Sequence, residues 1–514
     1  VVPPNQRPHP PAPSRKGRGR LWGFVLALLT GCTTGPDYQR PPLEIPAAYR
    51  VTPETAAAAW PSRDWWRGFH SDELNALIEQ AKAQNFDIAA AIARVRQEDA
   101  QVRIAGASLL PTLNGTAGAS WEHVGFGTGS NAGGSRFVGG TASEDLRSYN
   151  VGLSAAYQLD FWGRNQALRL AAVNAAMFSR FDQQTVALTV VTNVANTWFT
   201  CLALVDRLDV AQRNLAAAEQ TLAVIRGRLE AGTASALDIA QQESLVNAER
   251  AIVPGLRNQL EQALISLGIL VGRPPEAITA RPGSLTELAL PLVSAGLPSA
   301  LLQRRPDVAS AEAQLIAQHL DINAARAAFF PTVQLTGSAG YEAPALAALI
   351  SPAGALTSLA AGLTAPIFDG GTLRGQLEQA RGRYDELLAD YRKAVVQAFT
   401  DVDQALAAWR FTTEQEFLQR IAVETARRAA TIANAQMLAG TVDITTVLTT
   451  ETTLFNDEDT LAQVRLARIQ ALLNLYKALG GGWAQPDGPP QDQFPGLSPG
   501  RLRGGVVLPI ETVP

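Results

Sequence analysis

The chain repeats itself over an unusually long interval. Asp87-Ile88-Ala89 opens a helical stretch that ends in Leu110-Pro111-Thr112-Leu113, and Asp307-Val308-Ala309 opens another that ends in Phe330-Pro331-Thr332-Val333. Asp87 to Asp307 and Pro111 to Pro331 are both steps of 220 positions. Further on, Ala231-Gly232-Thr233, Glu243, Leu264 and Gly272 return as Ala439-Gly440-Thr441, Glu451, Leu472 and Gly480, each 208 positions later. Solenoid and propeller repeats have periods of about 20–50 residues. Each copy here is therefore a whole sub-architecture, and the chain divides into repeat 1 over 72–272 and repeat 2 over 306–480.

After Pro111 the residues alternate. Leu113, Gly115, Ala117, Ala119 and Trp121 share one face, against Thr112, Asn114, Thr116, Ser120 and Glu122. The pattern returns in Val151, Leu153, Ala155, Tyr157 and Leu159 against Asn150, Ser154 and Gln158. The second copy has Val333, Leu335, Ala339 and Tyr341, then Leu359, Ala361, Leu363, Ala365 and Ile367. A period of two over about ten residues predicts strands, giving hairpins over 111–160 and 331–369. Aromatic ends and small or apolar faces suit transmembrane β-strands, and a half-buried soluble hairpin fits the same alternation. The glycine-rich stretch from Gly125 to Gly134 lies between strands with no helix start behind it, so it reads as a surface loop rather than a phosphate cradle.

Each hairpin ends at an Asp followed by Gly: Asp160-Phe161-Trp162-Gly163 and Asp369-Gly370-Gly371. A carboxylate there can cap a helix N-terminus. Between Arg164 and Glu230 there is no proline and one glycine; between Thr372 and Leu438 there is again no proline. Some 67 residues at about 1.5 Å each make a helix of roughly 100 Å. The long helices should stop at Gly232 and Gly440 in left-handed caps, and fresh helices should run back to Gly272 and Gly480. This gives long helical hairpins over 164–272 and 372–480. Pro254-Gly255 should kink the first returning helix.

The formal net charge of −4 on 514 residues shows no polycationic surface, so nucleic acid is not an indicated partner. No run of about 20 apolar residues is evident, so membrane crossing would fall to strands. Arg15, Lys16, Arg18 and Arg20 precede the apolar stretch Leu21–Leu29, and Thr30, Gly31 and Cys32 follow. That order predicts a secretory signal peptide over 1–31. The first thirteen residues, proline-rich and without Met, look like an early start or a cloning remnant. Cys201 sits mid-helix with no intrachain partner in the mature form and reads as a buried structural thiol. His70, His123 and His319 lack metal-like spacing. No catalytic constellation and no metal or cofactor motif is found, so no enzyme is expected.

Leu29-Thr30-Gly31-Cys32 closely resembles a bacterial lipobox, which makes Cys32 the expected lipidation site and a covalent lipid the only attached group. Thr33, rather than Asp, by resemblance lets the lipoprotein proceed to the outer membrane. Gly31 through Tyr38 resembles the mature start of one lipoprotein branch. Trp65-Trp66-Arg67-Gly68-Phe69 with Asp72 through Ile78, and Leu297-Pro298 with Leu301-Leu302 and Arg305-Pro306-Asp307, resemble its further motifs. On these residues the chain is similar to the TolC-like outer-membrane efflux factors, in the lipoprotein branch serving resistance-nodulation-division (RND) pumps.

The resemblance implies the fold class: an α+β membrane protein forming a trimeric 12-stranded transmembrane β-barrel, four strands per chain, continuous with a long periplasmic α-helical barrel. Four strands cannot close a spanning barrel alone, since single-chain barrels begin at eight. Segments 32–71, 273–305 and 481–514 would supply an equatorial belt and tail. The implied function is the exit duct of a tripartite efflux pump in the outer membrane. It would be a homotrimer with a periplasmic adaptor, an inner-membrane RND-type pump and outer-membrane lipid as partners. A type I secretion duct and a coiled-coil envelope spacer are the alternatives.

By the same resemblance, Arg228, Leu229, Gly232 and Thr233 match one adaptor-docking tip, and Leu438, Gly440 and Thr441 the other. The prototype places two carboxylates six and nine positions beyond the second tip glycine, as a cation-binding ring. Here those positions are Thr446 and Thr449; Asp443 is nearby but out of register, while Asp238 matches the first tip's aspartate. The periplasmic gate is thus expected to use Asp238, Asp443, Thr446 and Thr449, with weak divalent block.

Overall fold

The computed structural model describes residues 35–51, 61–126, 142–278, 283–291, 298–483 and 485–488. In chain order the main elements are α1 (Asp72–Gln84), α2 (Phe86–Ala107), β1 (Thr112–Phe126), β2 (Ala142–Leu159), α3 (Arg164–Glu230) and α4 (Ala236–Val271). They continue with α5 (Pro306–Ala327), β3 (Thr332–Ala343), β4 (Ala355–Thr364), α6 (Thr372–Leu438) and α7 (Ile444–Ala478). The two long helices α3 and α6 are each 67 residues, with the bounds that the absence of proline marks. Asp160 accepts the backbone N–H of Gln166 at 2.8 Å, and Asp369 those of Gly371 and Leu373 at 2.9 and 2.7 Å. These carboxylates satisfy N–H groups left unbonded at a helix start.

The strands form one antiparallel sheet in the order β1-β2-β3-β4. Directly opposed residues share a face, and the register sorts the side chains sharply. Leu113, Ala155, Gly337 and Leu359 align across the sheet, as do Ala117, Val151, Tyr341 and Ala355. On the other face Asn114, Ser154, Ser338 and Ser358 align, and the Ser338 and Ser358 hydroxyls bond at 2.7 Å. The apolar face is open: Leu113 is 69% and Leu359 88% exposed. An apolar sheet face on that scale needs lipid or a partner to cover it.

Three sequence expectations are amended. The last strand starts at Ala355 and ends at Thr364, so Ala365 and Ile367 fall outside it. Pro366 explains this, because it has no N–H for the ladder and restricts the residue before it. The strands β1 and β2 run further toward their turn, to Phe126 and from Ala142. Finally, α3 does contain a stretch long and apolar enough by composition to cross a membrane. It is charge-free from Gln183 to Val205. Most of that stretch is buried inside the protein, where Val190, Val194, Trp198 and Phe199 join the largest core. Helix α4 continues through Pro254 without a break. The glycine-rich loop lies largely outside the described residues.

The helices pack side by side in one layer. Near the sheet α3 lies between α2 and α5, and α5 lies against α6; further away α3 lies between α4 and α7, and α7 lies against α6. The layer's edges are thus β1, α2 and α4 on one side and β4 and α6 on the other. Both helical edges carry exposed apolar side chains, including Phe86, Ile265 and Ile269 on one and Phe411, Phe417 and Ile432 on the other.

Where α1 and the returning helices meet α3, Trp65 stacks on Tyr476 at 4.6 Å and Phe69 packs on Phe199 at 4.9 Å. The two repeats build the same junction here. Gly272 (φ +73°) and Gly480 (φ +87°) sit against the backbone carbonyls of Gln84 and Arg304, and a Cβ on either would lie 2.2 Å from the carbonyl oxygen. Beside them the N-cap residues of α2 and α5 reach the end of the returning helix. Asn85 donates to the Leu270 carbonyl at 2.9 Å, and Arg305 donates to the Ala478 carbonyl at 3.3 Å. Arg305 also holds Asp307 and Asp401.

Candidate functional site

The points farthest from the sheet are the turns α3–α4 and α6–α7. Both close with the same hydrogen-bond pattern. Thr233 N–H donates to the Arg228 carbonyl (2.8 Å) and Gly232 N–H to Leu229 (2.9 Å); Thr441 donates to Gln436 and Gly440 to Met437, both at 3.0 Å. This six-to-one plus five-to-two pairing is a Schellman cap. It needs a left-handed residue, and Gly232 (φ +75°) and Gly440 (φ +73°) supply it. Among the described residues nothing lies within 4 Å of a Cβ built on either glycine, so the requirement is conformational rather than steric. Leu229 and Leu438 project from these turns, exposed.

The acids beyond each turn are helix caps. Ser235 and Asp238 form a capping box, with Asp238 N–H donating to the Ser235 hydroxyl (3.2 Å) and Ser235 N–H to the Asp238 carboxylate (2.7 Å). Asp443 is the N-cap of α7. Its Oδ1 accepts the Thr445 hydroxyl (2.7 Å), the Thr446 N–H (3.1 Å) and the Thr446 hydroxyl (3.0 Å). The Thr445 hydroxyl, then the Thr446 N–H and hydroxyl, hold this carboxyl below the usual carboxylate range. Its capping contribution is therefore present above the unfolded pKa and fades only as the pH falls through the lowered folded value. The Thr449 hydroxyl donates to the Thr445 carbonyl at 2.8 Å, and Thr450 and Thr453 bond back one turn likewise.

Two contacts at this end were not evident in the sequence. The Arg228 guanidinium, matched to a docking tip by resemblance, donates across to the Met437 carbonyl at 2.7 Å and ties the first turn to the second. A cation at that helix C-terminus also meets the negative end of the helix dipole. Farther in, the Thr221 hydroxyl donates to Glu451 at 2.9 Å, with Asn434 at 3.1 Å. Between these contacts Ile225, Ala433, Met437, Ile444 and Val447 form an apolar cluster.

At the other end of the helices, Gly35 lies against Asn323 and the Pro36 carbonyl meets His319 at 2.9 Å. The following segment is clamped by Arg40, whose Nε lies 2.6 Å from the buried Glu312, and by Arg50 N–H on Asp403 at 2.8 Å. Cys32 lies outside the described residues. Cys201 is fully buried, and burial pushes its thiol up to about 12, as suits a structural thiol.

The family profile described as outer membrane efflux protein matches residues 77–273 and 297–481. The chain belongs to the outer membrane efflux protein family. It is 40% identical over 459 residues to the pyoverdine export outer membrane protein OpmQ of Pseudomonas aeruginosa, covering 89% of this chain and 95% of that one. It is 30% identical over 470 residues to the cation efflux system protein CusC of Escherichia coli K12, covering 90% and 99%. Crystal structures of CusC superpose with a TM-score of 0.78 at 28% identity, over 88% of this chain and all of that one. The outer-membrane channel OprN gives 0.80 at 27% identity, with the same coverage.

As in that family, three copies close a 12-stranded barrel through the outer membrane, with the helical part extending into the periplasm. The two edges of the layer are where one protomer meets the next, and head-to-tail pairing of unlike edges closes a ring. The apolar sheet face then meets lipid and the Asn114–Ser358 row lines the lumen. The trimer is the exit duct of a tripartite efflux pump, working with a periplasmic adaptor and an inner-membrane RND pump.

Proposed function

We propose that this duct conducts small molecules passively and without a catalytic step, docks its adaptor on the paired tips, and is gated there by neutral side chains. The observation that carries this is the twin capped turn, which presents Gly232, Thr233, Gly440 and Thr441 with Leu229 and Leu438 around them at the periplasmic end. Small residues at such a turn leave room for the backbone of a partner to approach closely. Reconstituted trimer should form discrete conductance steps in a planar bilayer, and the chain should restore resistance to a strain lacking its own duct. Absence of both would refute it. Retention of pyoverdine in cells lacking the chain is the first cargo assay, given the identity to OpmQ.

At the gate, Thr446 and Thr449 stand where a carboxylate ring would bind cations, and Asp443 is committed to capping α7. Three converging hydroxyls attract a divalent ion far less than three to six carboxylates. Millimolar divalent cations on the periplasmic side should therefore leave most of the current. Strong block that vanishes in Asp443→Asn would instead put a carboxylate ring at Asp443.

Cys32 is the proposed acylated N-terminus, with 1–31 removed as signal peptide and 32–71 descending as the first equatorial segment. Three chain steps lead from it to Gly35, a reach of about 10 Å. Gly35 lies beside the last turns of α5, which leads into β3 at the membrane. The acyl chains add to a body already held by its barrel. Cys32→Ser should abolish the lipid while leaving trimer in the outer membrane. Mass spectrometry that found the mature N-terminus elsewhere would refute the anchor.

A further inference from the structure

We propose that Arg420, Arg465 and Arg468 form a binding site for a dissolved oxyanion of the phosphate or sulfate class, in a cleft between α6 and α7. The cleft has a volume of about 180 Å³ and is also lined by Leu285, Thr286 and Glu416. Glu416 and Arg420 stand on α6 and Arg465 and Arg468 on α7, while Leu285 and Thr286 belong to the segment between the repeats, which lies against α3. Three guanidiniums converge on one carboxylate. Arg468 donates to Glu416 Oε2 at 2.8 Å, and Arg420 and Arg465 donate to Oε1 at 3.1 and 3.4 Å.

The cluster carries more cation than its carboxylate needs. Glu416 is buried, and a single guanidinium fork would already satisfy it. Each guanidinium offers about five N–H donors, and Glu416 takes only one from each. The Nε of Arg468 is buried with no hydrogen-bond partner among the described residues. Asp206, a second carboxylate that acts on Arg465, is occupied by Ser284 and by the Leu285 N–H at 3.0 Å. Burial alone would raise the Glu416 carboxyl, but Arg468, Arg420 and Arg465 hold it below the usual range, so it stays ionised at neutral pH. Even with Asp206 counted, three cations face two anions.

The internal repeat shows that the fold itself does not require this cluster. Positions 208 earlier than Glu416, Arg420 and Arg468 are Leu208, Gln212 and Leu260. Leu208 and Leu260 pack there against an apolar cluster with Leu204 and Leu256. Arg257, the counterpart of Arg465, is exposed. The second copy has thus exchanged an apolar joint for a charged one with positive charge to spare. Planar guanidinium forks match the oxygens of phosphate-like ions. The cleft holds about six water volumes, room for one such ion but not for a nucleotide. Along α6 it lies roughly 65 Å from the sheet end, too far for an outer-membrane headgroup, so the ligand is a free ion. Bound there, the ion ties the segment between the repeats to α6 and α7 and stabilises the trimer by mass action.

The test is binding of inorganic phosphate to full-length, detergent-solubilised trimer by equilibrium dialysis, with heat dissociation of the trimer measured alongside. Half-saturation should fall at about 1 mM or below at low ionic strength, as several charge-assisted hydrogen bonds permit. Sulfate should compete, and chloride at equal ionic strength should not. Arg420→Gln, at the most exposed of the three, should weaken binding about tenfold. Glu416→Gln removes the opposing charge and should tighten binding by a similar factor, so that heat dissociation of this variant responds more strongly to phosphate. A network that serves packing alone would make the Glu416→Gln trimer less stable with no gain in that response. Arg374→Gln, at an exposed ion pair on the same helix, should change nothing. Wild-type trimer that retains no phosphate beyond the chloride control overturns the site. So does an intact Arg420→Gln or Glu416→Gln trimer that binds phosphate as the wild type does.

Discussion

Gly440→Asp should reduce efflux resistance to the level of a strain lacking the duct, while trimer abundance in the outer membrane changes little. The glycine closes the second tip at φ +73°, in open space. A non-glycine residue there is strained by about 1–2 kcal/mol. The carboxylate adds a smaller repulsion at the C-terminal end of the α6 dipole, roughly 0.3–1 kcal/mol. Both penalties are confined to one turn of a chain whose main cores lie elsewhere. The loss expected is therefore of docking rather than of folding, because a charged side chain would stand where an adaptor must approach. Gly440→Ala separates the two effects, since it carries the backbone strain and little else, and it should keep most of the resistance. Wild-type resistance from Gly440→Asp, with trimer verified by heat-modifiable migration, would remove the second tip from the docking surface.

Arg305→Ala should be the most destabilising single change at the equator. Its guanidinium bonds Asp307 and Asp401 and donates to the carbonyls of Ala398 and Ala478, fixing the start of α5 against α6 and the end of α7. Removing one partner from a buried charged network costs about 3–5 kcal/mol. The partly exposed aspartates place this case toward the lower figure. Trimer yield should fall and heat dissociation should occur at lower temperature. Arg305→Lys should recover only part of the loss, because one ammonium cannot reproduce the planar fork. The counterpart in the first repeat, Asn85→Ala, loses a neutral cap and one carbonyl contact, for about 1 kcal/mol. Equal effects at the two positions would show that the charge network contributes nothing beyond capping.

Much of this fold can be read from local patterns. The bounds of α3 and α6 follow from where proline and glycine are missing, and the faces of β1 to β4 follow from alternation alone. The end of β4 departs from this pattern: Leu359 to Ile367 alternate well, but Pro366 cannot join a ladder and the strand stops at Thr364. The motif around Arg305 was visible, but its partners were not, since Asp401 and the Ala478 carbonyl lie roughly 100 and 170 positions away. The contacts between the two helical hairpins leave even less trace in the sequence. Thr221, Asn434 and Glu451 are each unremarkable as solvated helix residues, and only the packing of α3 on α7 buries them together. Arg228 shows the same limit, because a basic residue near a tip looks outward until the facing helix end is known. The gate's Thr446 and Thr449 could be located by position, whereas Asp443's commitment to capping requires the geometry of the turn.

The equal lengths of α3 and α6 constrain how such a chain can drift. Each residue deleted from one long helix would draw its tip up by about 1.5 Å and rotate it by about 100°. A lone deletion would thus misalign one turn with its twin and swing its packing stripe away from the neighbour. Changes in reach should survive only when both long helices and both returning helices change together. They should come in steps near seven or eleven residues, which restore the facing surfaces after two or three turns. Comparing duct chains from bacteria with envelopes of different depth should therefore reveal insertions in matched sets of four, with singletons confined to the loops.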